Sequence, residues 1–451
     1  MSVLRLAAIG PRRRAGTPPI EHSLLLTATL CLVALGVVMV FSASSTTSLL
    51  GESGDSAYYL KRTLLFGAVG LVAMRILAVR GVGVIYRLTP VIMAVSVGLL
   101  VLVLMPGFGV EVNGAKRWIG AGLFQVQPSE IAKVALVLHG AALLATRPRL
   151  TRSLGDMVPF LMPVGVVCLL VVAEPDLGTA TVACFTAFAL LVAGGAKMRH
   201  LGLLGLILLG AILLAILIEP YRMERLVGFI NPSVDPAGAG FQANQAQIAL
   251  GSGGLFGVGV GESLQKAFYL PEAHTDMIAA VIGEEMGLLG IVGLASLFGL
   301  FAYGGLRTAQ RARDRYTKLL AAGLVSLVMV QATINLFAVL GLAPLTGVPL
   351  PFVSYGNSSL LVLLASVGVL LNIAGGARVP AAKPKAAAQA RSRRVSGGRR
   401  TSRDGRLRVV EGGRAAGPRR KSSSRAKGRD SRRGNRRSRR AGARRRGRAA
   451  G

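Results

Sequence analysis

The sequence predicts an all-α, polytopic membrane protein of about ten transmembrane helices. Both termini are cytoplasmic, and a large extracytoplasmic loop separates spans 7 and 8. Three observations predict this. Of 451 residues, 52% are hydrophobic and only 16% charged. Apolar runs of roughly 18–25 residues recur up to about residue 375, the length that crosses a hydrocarbon core of ~30 Å. Lys and Arg also alternate between crowded and sparse from one loop to the next. In lipid each backbone polar group needs a partner within its own segment, so such runs cross as helices.

The basic N-terminal segment, residues 1–22, has no small-residue cleavage site after the first apolar run, which is therefore read as a retained anchor. Spans are expected at about 23–43, 60–79, 84–105, 128–146, 156–173, 177–194, 201–218, 277–306, 317–340 and 351–374, with the eighth long enough to tilt or protrude. With the N-terminus inside, the inner segments hold Arg5 and Arg12 to Arg14, Arg80 and Arg87, Arg147, Arg149 and Arg152, Lys197 and Arg199, and Arg307, Arg311, Arg313 and Arg315. The outer segments hold only Lys61, Arg62, Lys116, Arg117, Arg222, Arg225 and Lys266. This asymmetry faces the loops 106–127 and 219–276 outward.

The membrane domain is thus residues 23–375, followed by a tail, 376–451. From Arg378 onward lie 28 of the 53 Lys and Arg residues against only Asp404, Glu411 and Asp430, so the net charge of +33 is mostly a property of the tail. An Arg/Ala/Gly/Ser-rich segment cannot bury a core and is expected to be disordered. Beside a membrane it should bind anionic lipid. Without a folded reading module, any nucleic-acid binding would be non-specific. Cys31, Cys168 and Cys184 each fall inside a span without metal-ligand spacing and read as packing residues.

Unusual chemistry gathers in the outer loops. In Tyr269-Leu270-Pro271-Glu272-Ala273-His274-Thr275-Asp276 a carboxylate stands where water ends and a long apolar run begins. Asp276 reads either as an N-cap for the eighth span or as a catalytic group. Trp118, the only tryptophan, reads as an interfacial anchor or a substrate contact. Glu130 and Lys133 share a helix face three residues apart and form either a local ion pair or an anion site. Asp176 is a natural cap for the sixth span. Arg75 and His139 lie inside spans and should face the bundle or a polar cavity, and the adjacent Glu284 and Glu285 point to a polar interior. Phe241 to Leu250 reads as a short amphipathic surface helix. The glycine-rich run Gly251 to Gly261 lacks the Gly-Lys-Ser/Thr ending of a phosphate loop and is better suited to close packing or to a backbone approach to a ligand. Leu350 to Leu360 carries small and hydroxyl residues suited to helix packing.

Several of these stretches together resemble one family. Asn113-Gly114-Ala115-Lys116-Arg117-Trp118, Gln127-Pro128-Ser129-Glu130-Ile131-Ala132-Lys133, Glu174-Pro175-Asp176-Leu177-Gly178-Thr179, Pro271 to Asp276 and Pro351-Phe352-Val353-Ser354-Tyr355-Gly356 resemble the SEDS family of FtsW, RodA and SpoVE, in the family's order, over about residues 20–375. Val260 to Lys266 followed by Tyr269 to Ala273 resembles the division and sporulation branch, FtsW above all. The resemblance implies an inverting peptidoglycan glycosyltransferase of the bacterial cytoplasmic membrane, acting at the division septum. It would polymerise lipid II into glycan strands at the outer face. It implies Asp276 as the catalytic residue and Trp118 and Lys133 as substrate-binding residues, with Arg117, Arg222 and Lys266 as further cations for the lipid diphosphate. It also implies a class B penicillin-binding protein and other divisome proteins as partners. No metal ligands are indicated, although a divalent cation (Mg or Mn) could assist at the diphosphate. Met277 stands where the family usually has an aromatic residue and Asn357 where it usually has glycine. A lysine that some members carry in the last outer turn is missing near Thr346-Gly347. Two other readings remain: a lipid II flippase built on Glu284, Glu285 and Arg75, and a divisome scaffold using the loops and tail.

Overall fold

The computed structural model describes residues 19–50, 54–112, 114–122, 124–230, 240–266 and 270–378. The polybasic tail and nearly all of the N-terminal segment lie outside the described residues. Eleven α-helices are present among those described: α1 Ile20–Leu50, α2 Tyr58–Leu104, α3 Pro128–Thr146, α4 Leu154–Ala173, α5 Leu177–Ala193, α6 Met198–Ile218, α7 Pro220–Ile230, α8 Phe241–Ser252, α9 Ile278–Arg311, α10 Arg315–Val339 and α11 Asn357–Ala374. Eight of them are long and apolar enough to cross a membrane, judged by length and composition, and α5 is a shorter apolar helix.

The second and third expected spans are one continuous helix, α2, of 47 residues. A straight helix of that length would reach about 70 Å, twice the thickness of a hydrocarbon core. Both of its ends nevertheless meet the same small outer hairpin. Near the start, Arg62 Nη2 donates to Gly122 O at 2.7 Å. Near the end, Val103 O lies so close to Gly109 that a Cβ there would be 2.5 Å away. Gly109 pairs with Ile119, so it lies within roughly 15 Å of Gly122, and α2 must double back. The turn falls at Gly81-Val82-Gly83. There the Asn372 side chain of α11 donates to Ala78 O at 2.7 Å and accepts from Val82 N at 3.1 Å. These are the two groups that would bond to each other in an unbroken helix, and an inserted side chain is a recognised cause of a sharp bend. The helix therefore crosses twice, and with α5 the crossings number ten among the described residues.

The outer loop 106–127 is not irregular, as an all-α reading would have it. It forms a three-stranded antiparallel meander, β1 Gly109–Val112, β2 Ala115–Ala121 and β3 Phe124–Val126. Val112 pairs with Ala115 and Ala121 with Phe124. Gly114 and Gly122 supply the positive φ values, 74° and 59°, that such tight connections require.

The interior is built mainly by α1, α3, α9, α10 and α11, whose buried side chains include Leu25, Leu32, Met39, Leu144, Phe298 and Phe301. Close approach rests on glycine, as is usual between membrane helices. A Cβ on Gly36 of α1 would lie 2.5 Å from Phe352 O. In contrast, α6 buries only His200 and Leu201, leaving Leu206, Leu214 and Leu217 exposed to lipid.

Two departures bear on the site. The eighth span is interrupted at Gly287 (φ 65°, ψ −161°). The glycine-rich run fills this break: Val258 N and Gly259 N donate to Glu284 O and Glu285 O, both at 3.0 Å, and Leu288 N donates to Gly254 O at 3.0 Å. A Cβ on Gly257 would fall 2.1 Å from Glu285 O, so only glycine allows this contact. Broken backbone at membrane depth is tolerated only where protein re-pairs its polar groups. The last span starts at Asn357 instead of residue 351. Pro351 to Gly356 forms a turn in which Phe352 adopts φ 66° and Ser354 Oγ accepts from Leu350 N at 2.8 Å.

Candidate active site

Asp276 sits at the outer mouth of the bundle, two residues before α9. It does not cap that helix: the capping position is Met277, and no side chain bonds there. Its Oδ1 lies 3.3 Å from Thr275 Oγ1, a hydroxyl that also reaches Glu272 O and Oε2. Its backbone carbonyl accepts from Asn335 Nδ2 at 2.7 Å, and the same amide donates to Val348 O at 2.8 Å. Gly347 faces Oδ2, with a Cβ there 3.9 Å away. The carboxylate thus keeps capacity that a capping aspartate would have used. Asp176 is the contrast, accepting from Thr179 N at 2.9 Å as a true cap of α5.

The loop before Asp276 is held by rings. Tyr59, His274 and Tyr355 cluster, with centroids 4.3 Å apart for the tilted Tyr59–His274 pair and 4.7 Å for the edge-to-face Tyr59–Tyr355 pair. Tyr355 N donates to His274 O at 2.9 Å. Glu272 sits at φ 53°, a conformation costly for a side-chain-bearing residue and found where the surroundings enforce it. Burial pushes His274 below its ordinary value, with Glu272 opposing, so the imidazole is neutral at pH 7. Burial, then the nearby Glu272 charge, raises Asp276 to about 6, opposed by its own backbone N–H, by Arg225 and by Thr275. A carboxylate in that range is ionised at neutral pH yet basic enough to take a proton in a transition state.

Lys133 is brought to the wall of this site, though indirectly. Its ammonium is buried and contacts Glu130 Oε1 at 2.8 Å and Gln331 Oε1 at 3.0 Å. Gln331 donates to Pro349 O at 3.0 Å, next to the Val348 carbonyl that shares Asn335 with Asp276. Arg117 of β2 clamps the turn after α4, bonding Glu174 O at 3.1 Å through Nε and Pro175 O through Nη2. This turn abuts the last outer turn at Gly178, where a Cβ would meet Thr346 O. Trp118, half-buried, follows Arg117 on β2 at a register shift, where Val110 pairs with Trp118 and Glu111 with Lys116 so that Arg117 is the extra residue.

Two predicted cations are not brought to Asp276. Lys266 is only 6% exposed. It contacts Glu285 Oε1 at 3.0 Å, Ser42 Oγ at 3.2 Å and Gly261 O at 2.5 Å. Glu285 lies roughly 13 Å along the chain axis from Asp276. The charge of Lys266 is therefore consumed in anchoring the glycine-rich run. Arg222 folds back on the end of its own arm, donating to Ala215 O at 2.9 Å.

Arg225, one turn further along α7, does bear on Asp276, and its Nη1 donates to Leu345 O at 3.3 Å. Sequence reasoning named Arg222 because it did not read Pro220–Ile230 as a helix. Glu174 was also missed as a site residue. It is 1% exposed, and both of its carboxyl oxygens lack a hydrogen-bond partner among the described residues. Burial, reinforced by Asp176 and opposed by Arg117, pushes it up to about 8, so it is held as the neutral acid.

Glu284 and Glu285 are internally satisfied. Glu284 accepts from Ser263 Oγ and from Leu264 N at 3.0 Å, and Glu285 holds Lys266 and Ser42. A cavity of about 210 Å³ lined by Glu21, Thr308, Arg311 and Arg313 lies at the opposite, inner end of the bundle. It is a membrane thickness away from Asp276. Among the described residues no three His, Cys, Asp or Glu side chains group as metal ligands.

The membrane domain as a whole is similar to known proteins. Residues 22–378 match the FtsW/RodA/SpoVE family model, described as "Cell cycle protein". Stage V sporulation protein E of Bacillus subtilis (strain 168) is 41% identical over 351 residues, 78% of this chain and 96% of that protein. The probable peptidoglycan glycosyltransferase FtsW of Alkalilimnicola ehrlichii is 42% identical over 362 residues, 79% of this chain and 90% of that protein. Among solved structures, a chain from a work on the structural coordination of polymerization and crosslinking by a peptidoglycan synthase complex superposes with a TM-score of 0.63 at 29% identity, covering 78% of this chain and 96% of that one. The rod shape determining protein RodA of Thermus thermophilus gives 0.58 at 29% identity, covering 78% and 97%. A match over most of the chain, with the ten-crossing bundle and the Asp276 loop in place, makes this a multi-pass membrane protein that belongs to the FtsW/RodA/SpoVE family.

Proposed function

We propose that this protein is a peptidoglycan glycosyltransferase that polymerises lipid II into glycan strands at the outer face of the cytoplasmic membrane, with Asp276 as general base. The observation that carries this reading is a carboxylate at the outer mouth of the bundle, raised to about 6 and not used as a helix cap. A sugar hydroxyl of one lipid-linked molecule attacks the anomeric carbon of another. Asp276 takes the hydroxyl proton as the new C–O bond forms, and the bond to the lipid diphosphate breaks with its electron pair leaving on oxygen. Both substrates reside in the bilayer, so a base at its outer boundary meets them without extraction.

In this reading Trp118 meets the substrate, Arg117 and Lys133 brace the wall behind it through the Glu174 turn and Gln331, Arg225 supplies charge in place of Arg222, and Lys266 supports the site from below. A divalent cation would rest chiefly on the diphosphate oxygens, the usual manner for Mg²⁺ at phosphate substrates. The relatives named FtsW favour a division role at the septum, with other divisome proteins. The synthase-complex neighbour favours a class B penicillin-binding protein as partner. The tail would hold anionic lipid.

The internal pairing of Glu284 and Glu285 disfavours a flippase, because neither carboxylate faces an open path. The test is protein in vesicles supplied with lipid II, with and without the partner, scored for both glycan strands and lipid II flux. Strands are expected. Flux without strands would overturn the reading in favour of transport, and neither activity, with or without the partner, would favour a scaffold.

A further inference from the structure

Resting on Asp276 as the base, we infer that Arg225 is a positioning residue of the reaction, holding the outer turn between α10 and α11 and setting its positive charge against the Asp276 carboxylate. The turn from Gly341 to Pro349 roofs the base, with Gly347 over Oδ2. It is tethered at three points. Asn335 holds Val348 and Asp276 together and Gln331 holds Pro349, both from α10, and Arg225 holds Leu345 from α7. Arg225 is the tether of the half of the turn before Gly347, and removing it loosens what lies above the carboxylate.

The tether also places the charge, because Arg225 Nη1 holds Leu345 O, two residues before the Gly347 that faces Asp276 Oδ2. The groups bearing on Asp276 are Glu272 and Thr275 of its own loop and Arg225 of α7. From α10 the neighbour is the neutral Asn335, and the turn Gly341 to Pro349 contains no ionisable residue. His274 packs against Tyr59 and Tyr355, and Lys133 and Lys266 are paired with Glu130 and Glu285. Among the described residues, Arg225 is thus the cation that offsets Glu272 at the base. A guanidinium suits the double task, since its planar fork serves a carbonyl with one nitrogen while the delocalised charge acts elsewhere. Burial of Asp276 and the Glu272 charge both favour its protonated form, and the Arg225 charge opposes them.

The experiment is lipid II polymerisation in vesicles from pH 5 to pH 8.5 with wild type, Arg225→Gln and Arg225→Lys. In Arg225→Gln the acidic limb should move to higher pH, so that the rate at pH 6 relative to pH 8 falls about three- to tenfold further than in wild type. The loss should appear in kcat more than in KM. Arg225→Lys should retain the wild-type limb at a reduced plateau, which separates charge from tether and guards against a glutamine variant that fails to fold. An acidic limb unmoved in Arg225→Gln, or moved equally in Arg225→Lys, overturns the inference. A wild-type protein with no acidic limb, or an active Asp276→Asn, overturns instead the assignment of the base.

Discussion

Acidification should silence the protein well before ordinary carboxylates titrate. Asp276 is raised from 3.8 to about 6 by burial and by Glu272. The sign follows from which form works: the ionised base is lost as pH falls through the raised value. At pH 5 a base titrating at 6 is only about one-tenth ionised, so the rate should stand about tenfold below its plateau. A base titrating at 3.8 would remain more than about nine-tenths ionised and lose almost nothing. Initial rates of glycan formation in vesicles between pH 5 and pH 7.5, with fluorescent lipid II as substrate, distinguish the two. Retained insertion and a reversible rate on return to pH 7.5 exclude acid damage. A flat profile down to pH 5 would refute the claim that packing around Asp276 tunes the base.

Three other outcomes follow from the same geometry. Glu174 holds a proton in the folded state up to about 8, so folding stability falls as pH rises from its unfolded value near 4.5 through 8. Glu174→Gln should therefore raise stability by on the order of 3 kcal/mol at pH 7 and by nothing at pH 4, read as the pH dependence of thermal unfolding. Lys266→Met leaves Glu285 charged and buried without its partner, which should cost about 3–5 kcal/mol, whereas Lys266→Met with Glu285→Leu should recover most of it. Unfolding midpoints of the single and double variants measure this, and an unaffected single variant would contradict the anchoring role of the pair. Asn372→Leu leaves Ala78 O and Val82 N unpaired at the bend of α2, a loss of ~1–3 kcal/mol per buried group, detectable as faster cysteine labelling at positions flanking Gly81.

The ten crossings were legible because hydropathy and the Lys/Arg bias both report directly on the bilayer. The folding back near residue 81 was legible too, as the break between the apolar runs ending at 79 and starting at 84, but the means of making it was not, since the bend is held by Asn372, 290 residues away. The outer meander had a local signal that went unread: Asn113-Gly114 between short β-prone runs is a strong hairpin mark. The family resemblance pointed to Asp276, Trp118 and Lys133, and the cations of the outer loops pointed to Arg117. A charge count cannot tell a cation free for substrate from one consumed internally, and so it placed Lys266 and Arg222 beside Arg117. The distinction rests on Glu285 meeting Lys266 across a break at Gly287, and on α7 turning Arg225 toward Leu345. The glycine-rich run was rightly read as a packing device, but its partner, the broken α9, was hidden inside an apolar run.

The replacement of one atom tests the role of Asp276. Asp276→Asn keeps the size and the backbone bond to Asn335 while removing the base. In vesicles with lipid II and a class B penicillin-binding protein, it should make no glycan strands. It should also insert normally and unfold at the same or a slightly higher temperature, because a buried charge has been removed. Strand synthesis by Asp276→Asn at a rate comparable to wild type would contradict the assignment of Asp276 as the catalytic base.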